Sequence, residues 1–241
     1  MNGDTDLPPP PWRTRRKAAP ARRQLSQELI VEAGLRVLDA EGLDALSMRR
    51  VATELDTGPA SLYAHVANKD ELLELIYDLV LGEVELPEPD PTRWREQLRD
   101  HVRRVHHVLT SHADVARAGL AGVPSGPNAV RLSEFVFGLL IEAGMAPREA
   151  SLALDRITLY VCGDAYEGSL HYARMRAAGP VDVEEYFRRF TGDVTGYLRS
   201  LPPERFPHLT AHVDALIADD GEARFEYGLD LLLAGLAARM P

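Results

Sequence analysis

Ser61, Tyr63, His65 and Lys69 fall within nine positions of the stretch ASLYAHVANK, residues 60–69. Two hydroxyls, an imidazole and an ammonium make a dense set of hydrogen-bond donors. Donors of this kind bind phosphate oxygens and fix a protein's register on a duplex. Lys69 also stands at a helix start, where free N–H groups and the positive dipole end favour an anion. Each residue alone fits a core or solvated side chain equally well. Together, bracketing one short helix, they make a backbone clamp that suits a polyanion.

The elements that must hold this clamp are legible in the flanking sequence. Ser26 is a helix cap ahead of the apolar face Ile30, Ala33, Val37 and Leu38, and Gly42 follows as the stop. Ser47 opens a second helix, SMRRVATEL, with Met48, Val51, Ala52 and Leu55 inward. After the turn DTG, Pro59 takes the first position of a very short third helix, PASLYAHV. Asn68 and Asp70 cap a fourth, striped by Leu72, Leu73, Ile76, Leu79 and Val80. Two short helices joined by a tight turn match a helix-turn-helix.

The charge distribution agrees. The 241 residues carry a net charge of −10, yet residues 1–70 hold ten basic and ten acidic side chains. The remaining 17 basic and 27 acidic residues carry the whole excess. A neutral head on an acidic body fits a small polyanion-binding module joined to something else. Residues 1–24, rich in Pro and Arg, read as a flexible basic arm. A single Cys, Cys162, excludes an internal disulfide and points to a reducing compartment. With no apolar run long enough to span a bilayer, the expectation is a cytoplasmic protein without a membrane partner.

The stretch LSMRRVATELDTGPASLYAHVANKDELLELI resembles the DNA-binding domain of the TetR (tetracycline repressor) family, whose hallmark here reads LYAHVANK, residues 62–69. The resemblance covers residues 26–80. It implies that Arg49 contacts a base or phosphate, that Ser61 touches DNA, and that Tyr63, His65 and Lys69 hold the backbone. Ser47 would cap its helix and reach a phosphate. Two departures stand out. Asp56 occupies the place of the usual turn Gly, which Asp replaces in a left-handed conformation. Pro59 and Ala60 occupy positions where base-reading side chains often lie, so this helix offers few direct base contacts.

Beyond the Pro-rich break LPEPDPTRW the pattern stays helical, with no strand alternation and no heptad array. The fold class is all-α: a helix-turn-helix domain over residues 25–71 and a larger regulatory and dimerisation domain over residues 72–241. A helix-turn-helix this small reads too little DNA alone, so a homodimer on a palindromic operator is expected. The apolar helices over 149–175 and 223–239 suit a four-helix bundle across a two-fold axis, burial within one chain being the alternative.

Stretches of this larger domain, LTSHADVARAGLAG and FEYGLDLLLAGLAARM, resemble the family's C-terminal regulatory domain and imply a small-molecule effector bound inside it. The metal-ligating His of the tetracycline repressor falls at Gly119, a pocket Asn at His101, and only Glu167 matches its metal–drug site. A tetracycline–magnesium effector is therefore not expected, nor any cofactor or metal. Asp164, Glu167 and His171 share one helical face and would anchor a cationic ligand, unless that face is solvated or an interface. His101, Val105 and Tyr160, with Val161, are candidates for an apolar ligand cavity, core packing being the alternative. His101, His106, His107 and His112 include no pair three or four apart, so they do not share a metal by themselves.

The sequence holds no Ser/His/Asp set and no glycine-rich phosphate loop. The reading is a ligand-responsive transcriptional repressor and not an enzyme. Its rivals are an effector-independent architectural DNA binder and a small-molecule-binding enzyme.

Overall fold

The computed structural model describes residues 25–121, 125–179 and 182–240, which leaves the basic arm of residues 1–24 outside the described residues. The described residues form helices joined by turns and loops and include no strand.

Four helices build the head: α1 (Gln27–Glu41), α2 (Met48–Glu54), α3 (Pro59–Leu62) and α4 (Lys69–Leu81). Their ends are set by the side chains expected from the sequence. Ser26 Oγ accepts from the Leu29 N–H at 3.3 Å, Ser47 Oγ from the Arg50 N–H at 3.1 Å, and Asn68 Oδ1 from the Glu71 N–H at 2.9 Å. Each such cap contributes roughly 1 kcal/mol. Gly42 ends α1 at φ 82°, a conformation that costs glycine nothing. Ile30, Leu38, Leu46, Val51, Leu62, Val66, Leu72 and Ile76 close the core of the head. Full burial of such side chains stabilises by about 1.5–3 kcal/mol each.

Two details differ from the periodicity. The third helix is shorter than PASLYAHV: α3 ends at Leu62, and the His65 and Val66 N–H groups both bond to the Leu62 carbonyl. This tight turn carries the chain out of α3 while Leu62 and Val66 both stay inside. Leu79 is 38 % exposed and lies off the buried face of α4, which runs through Leu72, Ile76, Tyr77, Val80 and Leu81. The reason is that α4 is covered twice, by α1 on one side and by the body on the other, which turns Tyr77 inward.

After a 3₁₀ turn (Pro91–Arg93) the body follows: α5 (Trp94–Ser111), α6 (Arg117–Ala121), α7 (Pro127–Glu142), α8 (Pro147–Ala178), α9 (Val183–Ser200), α10 (Pro207–Ala211), α11 (Val213–Leu216) and α12 (Gly221–Ala237). Helices α5, α7 and α8 share a core of Leu98, Val102, Val136, Leu139 and Val161. Helix α12 lies on α5 and α8 through Phe225, Leu229 and Leu233. Its seam with α5 carries ion pairs from Arg103 to Glu226 at 2.7 Å and from Arg99 to Asp230.

Head and body meet through polar ties as well as packing. Asp114 Oδ2 accepts the buried N–H of Leu43, in the α1–α2 connection, at 3.0 Å. His112 sits between Asp39 at 3.0 Å and Glu83 at 3.3 Å. Asp78 of α4 caps the start of α7, accepting the Ala129 N–H at 2.9 Å. Tyr77 of α4 reaches Cys162 of α8, its hydroxyl 3.5 Å from Sγ.

Candidate nucleic-acid interface and inner cavity

Helices α2 and α3 are joined by residues 55–58, and the turn depends on Asp56, whose φ of 48° is left-handed. Short polar side chains tolerate that region best after glycine. Behind the turn, the Thr57 N–H bonds to the Ala52 carbonyl at 2.9 Å and closes the end of α2.

On this frame the sequence-derived donors separate into two sets. Ser61 is exposed, and Tyr63 is 55 % exposed at the end of α3. This open tyrosine stands beside the fully buried Leu62. Pro59 and Ala60 are exposed with them, at the start of α3. Arg49 on α2 is exposed and has no ion pair among the described residues. Its neighbour Arg50 is tied to Glu41 at 2.6 Å and to Glu54 at 3.1 Å. Arg49 is therefore the guanidinium of α2 left for another partner.

The second set is half-buried and tethered. The His65 carbonyl accepts from Gln27 Nε2 of α1 at 3.0 Å, which fixes the backbone beneath its ring. Lys69 donates from Nζ to the Leu43 carbonyl at 3.0 Å, leaving the remaining ammonium hydrogens unspent. Ser47 is half-buried, and its Oγ, accepting at the α2 cap, still has its own hydrogen to donate. At the start of α4, Asn68 and the Glu71 carboxylate already take the Glu71 and Ala67 N–H groups. Contact with an anion there depends on the Lys69 side chain.

Between head and body, α4, α5, α7 and α8 line a small, partly open cavity of about 60 Å³. Of the sequence-derived ligand residues, His101 and Val105 of α5 lie in its wall, with Val161 of α8. The other four lie elsewhere. The Tyr160 hydroxyl donates to the Phe225 carbonyl, and its ring stacks on Phe225 at 5.4 Å. Burial pushes its pKa up to about 12. Asp164 pairs with His106 at 2.7 Å, and that imidazole stacks on the other flank of the α12 contact, 3.8 Å from Phe225. Glu167 is exposed and faces Arg224 at 3.3 Å. His171 belongs to an aromatic cluster with Tyr186, Phe187 and Phe190 of α9. The face shared by Asp164, Glu167 and His171 thus meets three separate partners. No group of three or more His, Cys, Asp or Glu side chains arranged to hold a metal ion is found among the described residues.

Sequence reasoning missed Tyr77, Ser133, Thr158 and Cys162, which complete the cavity's polar lining. They come from three helices far apart in the chain, so no local spacing announces them. Burial raises the pKa of both the Cys162 thiol and the Tyr77 phenol above their ordinary values. At Gly119 of α6 there is no room for a side chain: a Cβ would lie 2.5 Å from Cys162 Sγ and 2.6 Å from the Tyr77 hydroxyl. Along α12, Tyr227 and Leu231 are 68 % and 57 % exposed, and Leu152 of α8 is exposed as well.

Comparison with known proteins adds a line of evidence independent of this geometry. Residues 30–76 match the family described as bacterial regulatory proteins, tetR family, and residues 86–240 match the tetracyclin repressor-like C-terminal domain. An HTH-type transcriptional regulator of Saccharopolyspora erythraea is 30 % identical over 94 % of this chain and 91 % of its own length. The HTH-type transcriptional repressor DrrR1 of Streptomyces coeruleorubidus is 32 % identical over 93 % of this chain and 82 % of its own. Among solved structures, apo ActR of Streptomyces coelicolor superposes with a TM-score of 0.77 at 42 % identity, covering 90 % of this chain and 98 % of ActR. ActR has also been solved in complex with (S)-DNPA and with actinorhodin.

Proposed function

The chain belongs to the tetR family of bacterial regulatory proteins, and on that footing we propose that it is a repressor released from its operator by a small molecule. It is a DNA-binding transcriptional regulator and not an enzyme. None of its helices among the described residues is long and apolar enough to cross a membrane.

The observation that carries the DNA reading is the exposure of Ser61, on a four-residue helix begun by Pro59, and of Tyr63, which caps its end. Two donors left in water beside a buried anchor have no structural task in the head. Ser61 and Tyr63 hold phosphates from α3, Lys69 and His65 hold them from the turn behind it, and Ser47 and Arg49 reach the duplex from α2. Pro59 and Ala60 approach the bases through apolar contact alone. Sequence discrimination therefore rests on few hydrogen bonds to base edges.

Two heads are needed to give affinity and a palindromic site. The exposed Tyr227, Leu231 and Leu152 on α12 and α8 supply an apolar face on which a second copy packs two-fold. The effector reading rests on the inner cavity, on its shared wall with α4, and on ActR, a similar protein that takes small organic molecules. A ligand in that cavity shifts the population between two head spacings to the extent that it binds one better.

Selection of duplexes from a random pool tests the whole reading. The expected product is an inverted repeat with half-sites spaced by turns of the duplex, bound by wild type and lost by the Ser61→Ala, Tyr63→Phe double variant. Enrichment of nothing, or of single half-sites bound by a monomer, would overturn it.

A further inference from the structure

The cavity wall states what kind of molecule belongs in it. His101 is 5 % exposed, and its Nδ1 is the one fully buried side-chain nitrogen or oxygen without a hydrogen-bond partner among the described residues. The other polar atoms of the wall are engaged: Thr158 Oγ1 donates to the Leu154 carbonyl at 2.9 Å, Ser133 Oγ to the Ala129 carbonyl at 2.8 Å, and the Tyr77 hydroxyl lies against Cys162. The remainder is aliphatic, and no Asp, Glu, Lys or Arg lines the space. A charged guest would give up its hydration there and gain no counter-charge.

Burial, and then the guanidinium groups of Arg104 and Arg131, hold the His101 pKa down at about 4. The ring is neutral in the cell, so either nitrogen can carry the single proton. A neutral imidazole accepts from a hydroxyl in one tautomer and donates to a carbonyl in the other. A buried polar atom left unpaired is costly, which makes a guest that completes it selectively favoured.

We infer that the effector is an uncharged, mainly apolar molecule whose one hydroxyl or carbonyl meets Nδ1 of His101. This rests on the reading of the chain as a ligand-released repressor. A further consequence concerns size. The roughly 60 Å³ of space is well below the ~300 Å³ or more of ordinary ligand pockets. The occupied state is therefore a swollen one, and Tyr77 and Leu81 of α4 are among the groups that give way.

Three probes of one ring size test the assignment: naphthalene, 1-naphthol and 1-naphthoate, titrated calorimetrically into the full chain. Wild type binds 1-naphthol on the order of tenfold tighter than naphthalene, and 1-naphthoate weakest. His101→Leu erases the difference between naphthol and naphthalene while keeping both. A ring-nitrogen NMR shift of His101 on adding 1-naphthol to wild type gives the same answer should the variant fold poorly. Preference for naphthoate, an undiminished naphthol preference in His101→Leu, an unmoved His101 resonance, or no binding of any probe would overturn the inference. Release of a labelled operator is read separately. His101-dependent naphthol binding that leaves DNA binding untouched would uphold the site and overturn the ligand-released reading.

Discussion

Lys69→Ala separates an electrostatic grip on DNA from a merely structural role. In the structure Lys69 Nζ donates to the Leu43 carbonyl at 3.0 Å and keeps further hydrogens for a phosphate. The proposed dimer presents two such lysines. Each phosphate neutralised by Lys or Arg steepens the dependence of log K on log salt by about 0.9. Losing two lowers the slope by about 1.8, so wild type loses about 12-fold more affinity than the variant as salt rises from ~50 to ~200 mM. The lost bond to Leu43 is a separate effect, worth about 1 kcal/mol, and lowers Tm by roughly 2–4 °C. Fluorescence anisotropy on a selected operator, repeated across that salt range, reads the slope directly. Tyr63→Phe is the matched control: it removes a neutral donor, so affinity falls at every salt concentration with the slope unchanged. Parallel slopes for Lys69→Ala and wild type would refute the assignment of Lys69 to phosphate, whatever happened to Tm.

Three further outcomes follow from other parts of the molecule. Asp114→Ala leaves the buried Leu43 N–H without its acceptor and costs about 1–3 kcal/mol, seen as a lower Tm, while Asp114→Asn retains an acceptor and loses less. Leu231→Asp combined with Tyr227→Asp puts charge on the exposed face of α12 and yields monomers in analytical ultracentrifugation, with each monomer's helical content intact. His101, with a folded pKa near 4 against 6.5 unfolded, takes up its proton in the unfolded chain first. Its contribution is complete above pH 6.5 and is lost as pH falls toward 4, a loss of about 3 kcal/mol. Denaturant midpoints measured across that window fall less steeply for His101→Leu than for wild type.

Much of the head was legible because its signals are local. Ser26, Ser47 and Asn68 cap helices whose first-turn N–H groups lie three residues on, a distance sequence alone resolves. Pro59 at a helix start and Asp56 at a positive φ are equally short-range. What escaped was whatever depends on two surfaces meeting. The buried face of α4 includes Tyr77 and leaves out Leu79, because α4 has a second neighbour that periodicity does not reveal. Asp164 looked like a companion of Glu167 and His171 on one face; its partner is His106, 58 positions away. The cavity is assembled from four helices, so only its strongest local hints, His101, Val105 and Val161, were visible beforehand. Polar residues on a helix announce that they need partners without saying which, and the tertiary fold decides.

Helix α4 serves at once as the ceiling of the inner chamber, through Tyr77 and Leu81, and as the floor of the head, through Leu72 and Ile76 packed at Gly34. Whatever the guest gains by pushing that beam, the operator must lose by the same factor. Substitutions in its middle, away from Lys69 at one end and from Tyr77 and Leu81 at the other, therefore slide the inducing dose up or down in graded steps and leave both grips intact, so the sensitivity of the gene switch is adjustable without rebuilding either end.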